Sequence, residues 1–134
     1  MHIKKTYIIS GGGSGIGKAI AMQLASEGHQ LILLGRDLSK LENAISQLSG
    51  ENHLAFSADV SDKNSVLAVA DKIKTTPVDG ILANAGTGGE NYWGDNDRWD
   101  EIMNTNLKGT YNFVNAFLPN LHLSKNETKH ILIT

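Results

Sequence analysis

With 134 residues, 40 % of them apolar and 19 % charged, the chain has the length and composition of one folded domain spanning 1–134. A formal charge of −2 speaks against a nucleic-acid or anionic-membrane partner, and the lack of cysteine excludes disulfides, zinc–thiolate sites and thiol nucleophiles. The histidines His2, His29, His53, His122 and His130 are scattered without an HExxH-like pairing, so no metal site is expected.

Lys4 and Lys5 precede only Tyr7-Ile8-Ile9 before Ser10 and Gly11 stop the apolar run. A secretory segment needs roughly 7–15 apolar residues and a membrane span about 20, so a cytoplasmic protein without a membrane partner is expected. Thr6 to Ser10 reads as a buried strand running straight into a glycine cluster. Ile16, Ile20 and Leu24 recur at helical spacing and predict a first helix ending near Gly28. Leu31 to Leu34 is a second strand stopped by Gly35, and Leu38, Leu41, Ile45 and Leu48 mark a second helix ended by Gly50. His53 to Phe56 gives a third strand; Val66, Val69 and Ile73 line a third helix; Val78 to Leu82 follows Pro77 as a fourth strand. A long helix is predicted from about Asp97 to Leu118, with Pro119 at its end and Trp99, Ile102, Met103, Phe113, Val114 and Phe117 as its apolar stripe. Ile131 to Ile133 begins a fifth strand. Strands that are apolar throughout, alternating with helices, imply a parallel sheet covered on both faces: an α/β, Rossmann-type doubly wound fold with strand order 3-2-1-4-5.

The first strand and helix are joined by Ser10-Gly11-Gly12-Gly13-Ser14-Gly15-Ile16-Gly17. A helix start carries unpaired N–H groups and a positive dipole end, and glycines let a phosphate approach with no Cβ in the way. Five glycines in seven positions exceed what a plain turn requires. GxGxxG fits from none of Gly11, Gly13 or Gly15, and a P-loop reading fails at Ala19, where a Mg²⁺-binding hydroxyl is needed. What remains is Gly-xxx-Gly-x-Gly at Gly11, Gly15 and Gly17. The second strand ends at Gly35-Arg36-Asp37, about 20 residues further on, where this fold reads the adenosine ribose. Gly35 supplies no carboxylate, whereas the Arg36 guanidinium can fork to two oxygens of a 2′-phosphate, which favours NADP over NAD. The other reading of Arg36 is a solvated residue balanced by Asp37.

Taken with Ala58-Asp59-Val60, Ala83-Asn84-Ala85-Gly86 and Trp99-Asp100-Glu101-Ile102-Met103-Asn104-Thr105-Asn106-Leu107-Lys108-Gly109, the loop makes the chain from Tyr7 to Thr134 resemble the short-chain dehydrogenases/reductases. The resemblance implies an NADP-dependent oxidoreductase interconverting a carbonyl and an alcohol, with a small-molecule substrate. It implies cofactor contacts from Gly11, Gly13, Ser14, Gly15, Ile16, Gly17, Arg36, Asp59, Val60, Asn84, Ala85 and Gly86, with Asp59 accepting from the adenine amino group. Asp59 could instead cap the third helix, although Ser61 and Asp62 are also placed to do so. Asn84-Ala85-Gly86 lies where the sheet order reverses, the usual ligand crevice of open α/β sheets.

Asn106 falls on the apolar stripe of the long helix, and Gly109 stands one turn on; a buried amide and a mid-helix glycine are both unfavourable, which points to a site. By resemblance Asn106 is the catalytic residue here, holding a water of the proton relay. The family's remaining parts, a Ser and a Tyr-xxx-Lys pair, do not occur: Gly11, Asn96 and Asn115 stand four residues after Tyr7, Tyr92 and Tyr111. The chain is thus expected to be the front part of the fold, truncated after the fifth strand and without turnover alone. A non-catalytic dinucleotide-binding or sensing module is the alternative. Self-association through the long helix 97–118 is expected, and the loop 87–93, with Tyr92 and Trp93, edges the pocket or packs on that helix.

Overall fold

The computed structural model describes residues 3–86, 94 and 97–134. Five strands, β1 (Thr6–Ser10), β2 (Gln30–Gly35), β3 (Leu54–Ser57), β4 (Gly80–Ala83) and β5 (His130–Ile133), form one sheet in the order β3-β2-β1-β4-β5. All four pairings are parallel, so the chain must cross over between strands, and helices make the crossings. These are α1 (Gly15–Ser26), α2 (Leu38–Ser46), α3 (Lys63–Lys72), and a composite of α4 (Trp99–Met103), a π-turn (Asn104–Lys108) and α5 (Gly109–Leu123). The chain winds outward from β1 to β3, then returns to lay β4 on the other side of β1. A crevice therefore opens between the carboxyl ends of β1 and β4.

Successive strand residues point to opposite faces, and each face has its own core. Ile8, Ile32, Leu34 and Ile81 pack with Val66 and Val69 of α3 and Phe113 and Phe117 of α5. On the other face Ile9, Leu31, Leu33 and Leu82 pack with Ala21 and Ala25 of α1 and Leu41 and Ala44 of α2. The continuous apolar runs of β1 and β2 follow from this: both faces are covered, so polar residues stand only at the strand ends, Thr6 and Ser10 in β1 and Gln30 in β2.

The predicted stripe of α1 is offset from its most buried face: Ile20 and Leu24 pack at the edge of the core, but Ile16 does not. The helix's buried residues are Gly17, Ala21 and Ala25, one position beyond the Ile16, Ile20 and Leu24 stripe, and Ile16 is 66 % exposed. Small side chains bring the helix close to the sheet, a fit that outweighs the larger hydrophobic area of the isoleucine. Leu38, in the predicted stripe of α2, is likewise exposed at the first turn, where the Asp37 carboxylate caps the helix by accepting from the Lys40 amide.

Two expectations for the long helix also change. Pro119 lies inside α5, which runs on to Leu123. The carbonyl of Asn115 that it leaves unpaired belongs to an exposed residue, and the last turn is held by tertiary bonds: Asn120 Nδ2 donates to Ile73 O at 2.7 Å and Thr76 O at 2.9 Å. The predicted stripe divides at the π-turn. Phe113 and Phe117 are fully buried, but Trp99 is 59 % exposed and Ile102 and Met103 only partly covered. A π-turn inserts one residue relative to α-helical register, so the two halves do not share a face.

At the amino edge of the sheet Asp79 is buried and accepts from the Thr6 amide (2.8 Å), the Ser124 hydroxyl and Asn126 Nδ2 (2.6 Å). Burial alone would raise its pKa, but the bonds from Ser124, Asn126 and Thr6 outweigh that and hold the carboxyl below its ordinary range. Among the described residues, no helix is long and apolar enough to cross a membrane, and no group of three or more histidine or acidic side chains is placed to hold a metal ion.

Candidate functional site

The carboxyl ends of β1 and β4 are stitched together by one hydroxyl. Ser10 Oγ accepts from the amides of Asn84 and Ala85, both at 3.0 Å. Beyond it Gly11 turns the chain back, with φ +68° and its amide bonded to Leu34 O at 2.8 Å. Gly15 again takes a left-handed φ of +56°, and a Cβ there would meet nothing within 4 Å. Ser14 is the N-cap of α1 but makes no side-chain cap bond, and the first intrahelical bond is donated by the Lys18 amide. Among the described residues the amides of the opening turn thus have no hydrogen-bond partner, beside a loop in which Ser14 alone between Gly11 and Gly15 carries a Cβ.

Gly17 has a different duty. It is buried, and a Cβ would stand 2.3 Å from Gly11 O and 2.5 Å from Asn84 Nδ2. Its hydrogen atom is the space in which α1, the loop and β4 meet. The Asn84 carboxamide is engaged on both sides, donating to Gly11 O at 3.3 Å and accepting from Thr134 Oγ1 at 2.9 Å.

A cavity of ≈ 300 Å³ opens at this edge of the sheet. It gathers Gly11, Gly13 and Ser14 from the loop, Arg36 from the end of β2, Asp59 and Val60 from beyond β3, and Asn84, Ala85 and Gly86 from beyond β4. Residues spread over 76 positions of sequence are brought to one surface by the crossovers. Of the other sequence-derived site residues, Gly15 borders open space, Ile16 is exposed, and Gly17 lies beneath the loop rather than in the wall.

Asn106 is exposed and sits in the π-turn, so the argument from a buried amide does not hold. Its Oδ1 nevertheless lies 3.1 Å from where a Gly86 Cβ would be, which puts the carboxamide against the loop after β4. Gly109 is explained by packing: a Cβ would stand 2.6 Å from Val60 Cγ2, and one turn on Asn112 Nδ2 donates to Val60 O at 2.9 Å. The glycine lets α5 clamp the segment carrying Asp59 and Val60. Tyr92 and Trp93 lie outside the described residues.

Asp62 caps α3, accepting from the Asn64 amide, so Asp59 is not the cap. Asp59 Oδ1 accepts from the Ser61 hydroxyl (2.7 Å) and amide (3.0 Å), leaving Oδ2 for a further donor. The Ser61 hydroxyl, against a smaller opposing effect of burial and with help from the Ser61 amide and the Arg36 charge, holds this carboxyl below its usual range. The cavity wall also includes Gly35, Asp37, Lys40, Leu41, Ala58 and Thr105, none of them among the expected cofactor contacts. Lys40 stands on the first turn of α2, whose N-cap Asp37 directly follows Arg36. Chemically, among the described residues the edge offers amides without a protein partner for a phosphodiester, the carboxylate of Asp59 for an amino group, and the exposed cations Arg36 and Lys40 beside a second carboxylate, Asp37. A dinucleotide phosphate fits this donor set.

Residues 5–134 match the family model described as short chain dehydrogenase. The chain is 38 % identical over 121 residues to the NADPH-dependent pterin aldehyde reductase of Arabidopsis thaliana, a match covering 86 % of this chain and 50 % of that protein. It spans about half the length of the curated relatives it matches. Among solved structures, the alcohol dehydrogenase of Thermococcus sibiricus complexed with 5-hydroxy-NADP is 31 % identical with a TM-score of 0.79, over 89 % of this chain and 54 % of that one. The 3-ketoacyl-(acyl-carrier-protein) reductase of Brucella melitensis complexed with NADH is 27 % identical with a TM-score of 0.84, over 96 % and 56 %.

Proposed function

The chain belongs to the short-chain dehydrogenase family, and from that premise we propose that residues 1–134 are the nucleotide-binding domain of an oxidoreductase taking NADP(H) and acting between a carbonyl and an alcohol. The observation that carries this reading is that Ser14 at the uncapped start of α1, Gly11 and Gly13 of the loop, and Arg36 all line one cavity at the carboxyl edge of the sheet. The names of the Arabidopsis and Thermococcus relatives support NADP, and the NADH complex of the Brucella relative makes Arg36 the residue on which the choice turns.

When bound, the nicotinamide supplies or accepts the hydride. The residues of this chain bind and orient. Amides at Gly13, Ser14 and Ile16 take the pyrophosphate, while Gly11, Gly15 and Gly17 let the backbone come close. Arg36 takes the 2′-phosphate, Asp59 Oδ2 accepts from the adenine amino group beside Val60, and Ala85 and Gly86 face the ribose. Asn84 holds the loop and β4 in register, and Asn106 holds a water next to Gly86.

Hydride movement at a carbonyl requires a proton partner, and these 134 residues contain no Tyr-xxx-Lys to supply one. The residues present therefore bind dinucleotide without turnover of their own, which equally suits a non-catalytic binding or sensing module. Self-association is assigned to the exposed side of the long helix, where Leu107 and Tyr111 are 64 % and 68 % exposed. Titration of the purified chain with NADPH, NADH and ATP, followed by tryptophan fluorescence, tests the reading. NADPH should bind tightest, and a preference for ATP would remove it.

A further inference from the structure

Asn84 closes the base of the glycine loop. Its Nδ2 donates to Gly11 O at 3.3 Å, and stands 3.1 Å from where a Gly11 Cβ would be and 2.5 Å from where a Gly17 Cβ would be. The first glycine of the loop and the buried glycine of α1 therefore meet at one nitrogen. Gly11 O can only accept, so the carboxamide must turn Nδ2 toward the loop and Oδ1 away from it. Thr134 faces that oxygen, and its hydroxyl donates to it at 2.9 Å. We propose that Thr134 is a positioning residue for dinucleotide binding, which sets the glycine loop through the Asn84 carboxamide from the far side of β4. The proposal rests on the reading of the cavity as a dinucleotide site.

Three observations carry it. The bond from Thr134 is the shorter of the two that hold the carboxamide; at 3.3 Å the bond to Gly11 O is a long one for N–H···O. The terminal torsion of an asparagine is soft, so the long bond alone leaves the group free to swing. Thr134 is itself held, because its amide donates to Ala83 O at 3.1 Å, directly after the last pair of the β4–β5 ladder, Ala83 with Ile133. Its hydroxyl is thus delivered across β4 by backbone rather than by a long side chain.

The third observation is what Ser10 leaves undone. Ser10 Oγ accepts from the amides of Asn84 and Ala85 and so fixes the main chain at the end of β4, but it does not touch the Asn84 side chain. The direction of the carboxamide is the freedom that remains, and Thr134 removes it. Gly11, Gly13 and Ser14 line the cavity above, so the bonds from Thr134 through Asn84 to Gly11 carry the position of β5 to the loop that would hold the pyrophosphate.

The test compares T134V, which keeps the shape and loses the hydroxyl, with T134S, which keeps the hydroxyl. Dissociation constants are measured for NADPH, NADH and adenosine 2′-monophosphate. T134V should weaken both dinucleotides alike, by about three- to tenfold, and T134S should restore most of the loss. Adenosine 2′-monophosphate has no pyrophosphate to place on the loop, and its affinity should stay within about twofold. The side-chain amide resonances of Asn84 in the isotope-labelled, unliganded chain should move in T134V and return in T134S. Equal loss of all three ligands, with T134S no better than T134V, would mean general loosening of the sheet edge and would overturn the proposal. Unchanged dinucleotide affinity in T134V, or unmoved Asn84 resonances, would overturn it too. A parent chain that binds neither dinucleotide overturns the functional reading first, and this proposal with it.

Discussion

Gly17→Ala sets two opposing effects against each other at one atom. Alanine favours a helix over glycine by at most about 1 kcal/mol. Against that, the added methyl would lie 2.3 Å from Gly11 O and 2.5 Å from Asn84 Nδ2, roughly 1 Å inside normal contact. Neither neighbour is the loose end of a flexible side chain: one is loop backbone, and the other is bonded at both ends of its amide. Overpacking of this kind costs about 1–3 kcal/mol, and forcing Asn84 away from Gly11 adds roughly 1 kcal/mol for the lost hydrogen bond. The net loss is about 1–3 kcal/mol. Urea denaturation followed by far-UV circular dichroism reads it: with a slope of about 1–3 kcal/mol/M the midpoint should fall by on the order of 1 M. Gly15→Ala, where the added methyl meets open space, isolates backbone strain from crowding. A Gly17→Ala variant as stable as the parent, or more so, would refute the account of why α1 lies so close to the sheet.

Asp79→Asn should cost about 2–3 kcal/mol, since it removes the charge that three donors address. Because the Asp79 pKa is depressed on folding from 3.8, its contribution is complete above that pH and drains away as pH falls below it. Acid titration of stability should accordingly be steeper for the parent than for Asp79→Asn, and parallel curves would contradict the assignment. Arg36→Asp should move nucleotide preference from NADPH toward NADH; an unchanged ratio in equilibrium titrations means that Arg36 does not discriminate. Purified 1–134 protein should show no NADPH-dependent reduction of any carbonyl compound, and measurable absorbance loss at the nicotinamide band with such a substrate would contradict that.

The alternation of strands and helices was legible because β1, β2 and β4 are apolar on both faces, leaving a run that neither period disguises. The glycine loop and Arg36 were legible for a related reason: their chemistry is local to a few consecutive residues. What escaped depends on neighbours distant in sequence. Gly17, Ala21 and Ala25 carry almost no hydropathy signal, so the isoleucines and leucine beside them, of which Ile20 and Leu24 pack at the core's edge, mark a face one position off the most buried one. No residue pattern announces the π-turn at Asn104–Lys108, yet it moves Asn106 out to solvent. Pro119 reads as a stop until Asn120 is seen bonded to Ile73 and Thr76.

Polar rivets at opposite ends of β1 hold it against β4: the Asp79 carboxylate on Thr6 at one edge, the Ser10 hydroxyl on Asn84 and Ala85 at the other. With both ends pinned, the walls of the crevice are set before any nucleotide arrives, and association carries little entropic penalty from ordering the protein. Affinity should thus be sensitive to damage on the far side of the sheet, where no ligand atom reaches.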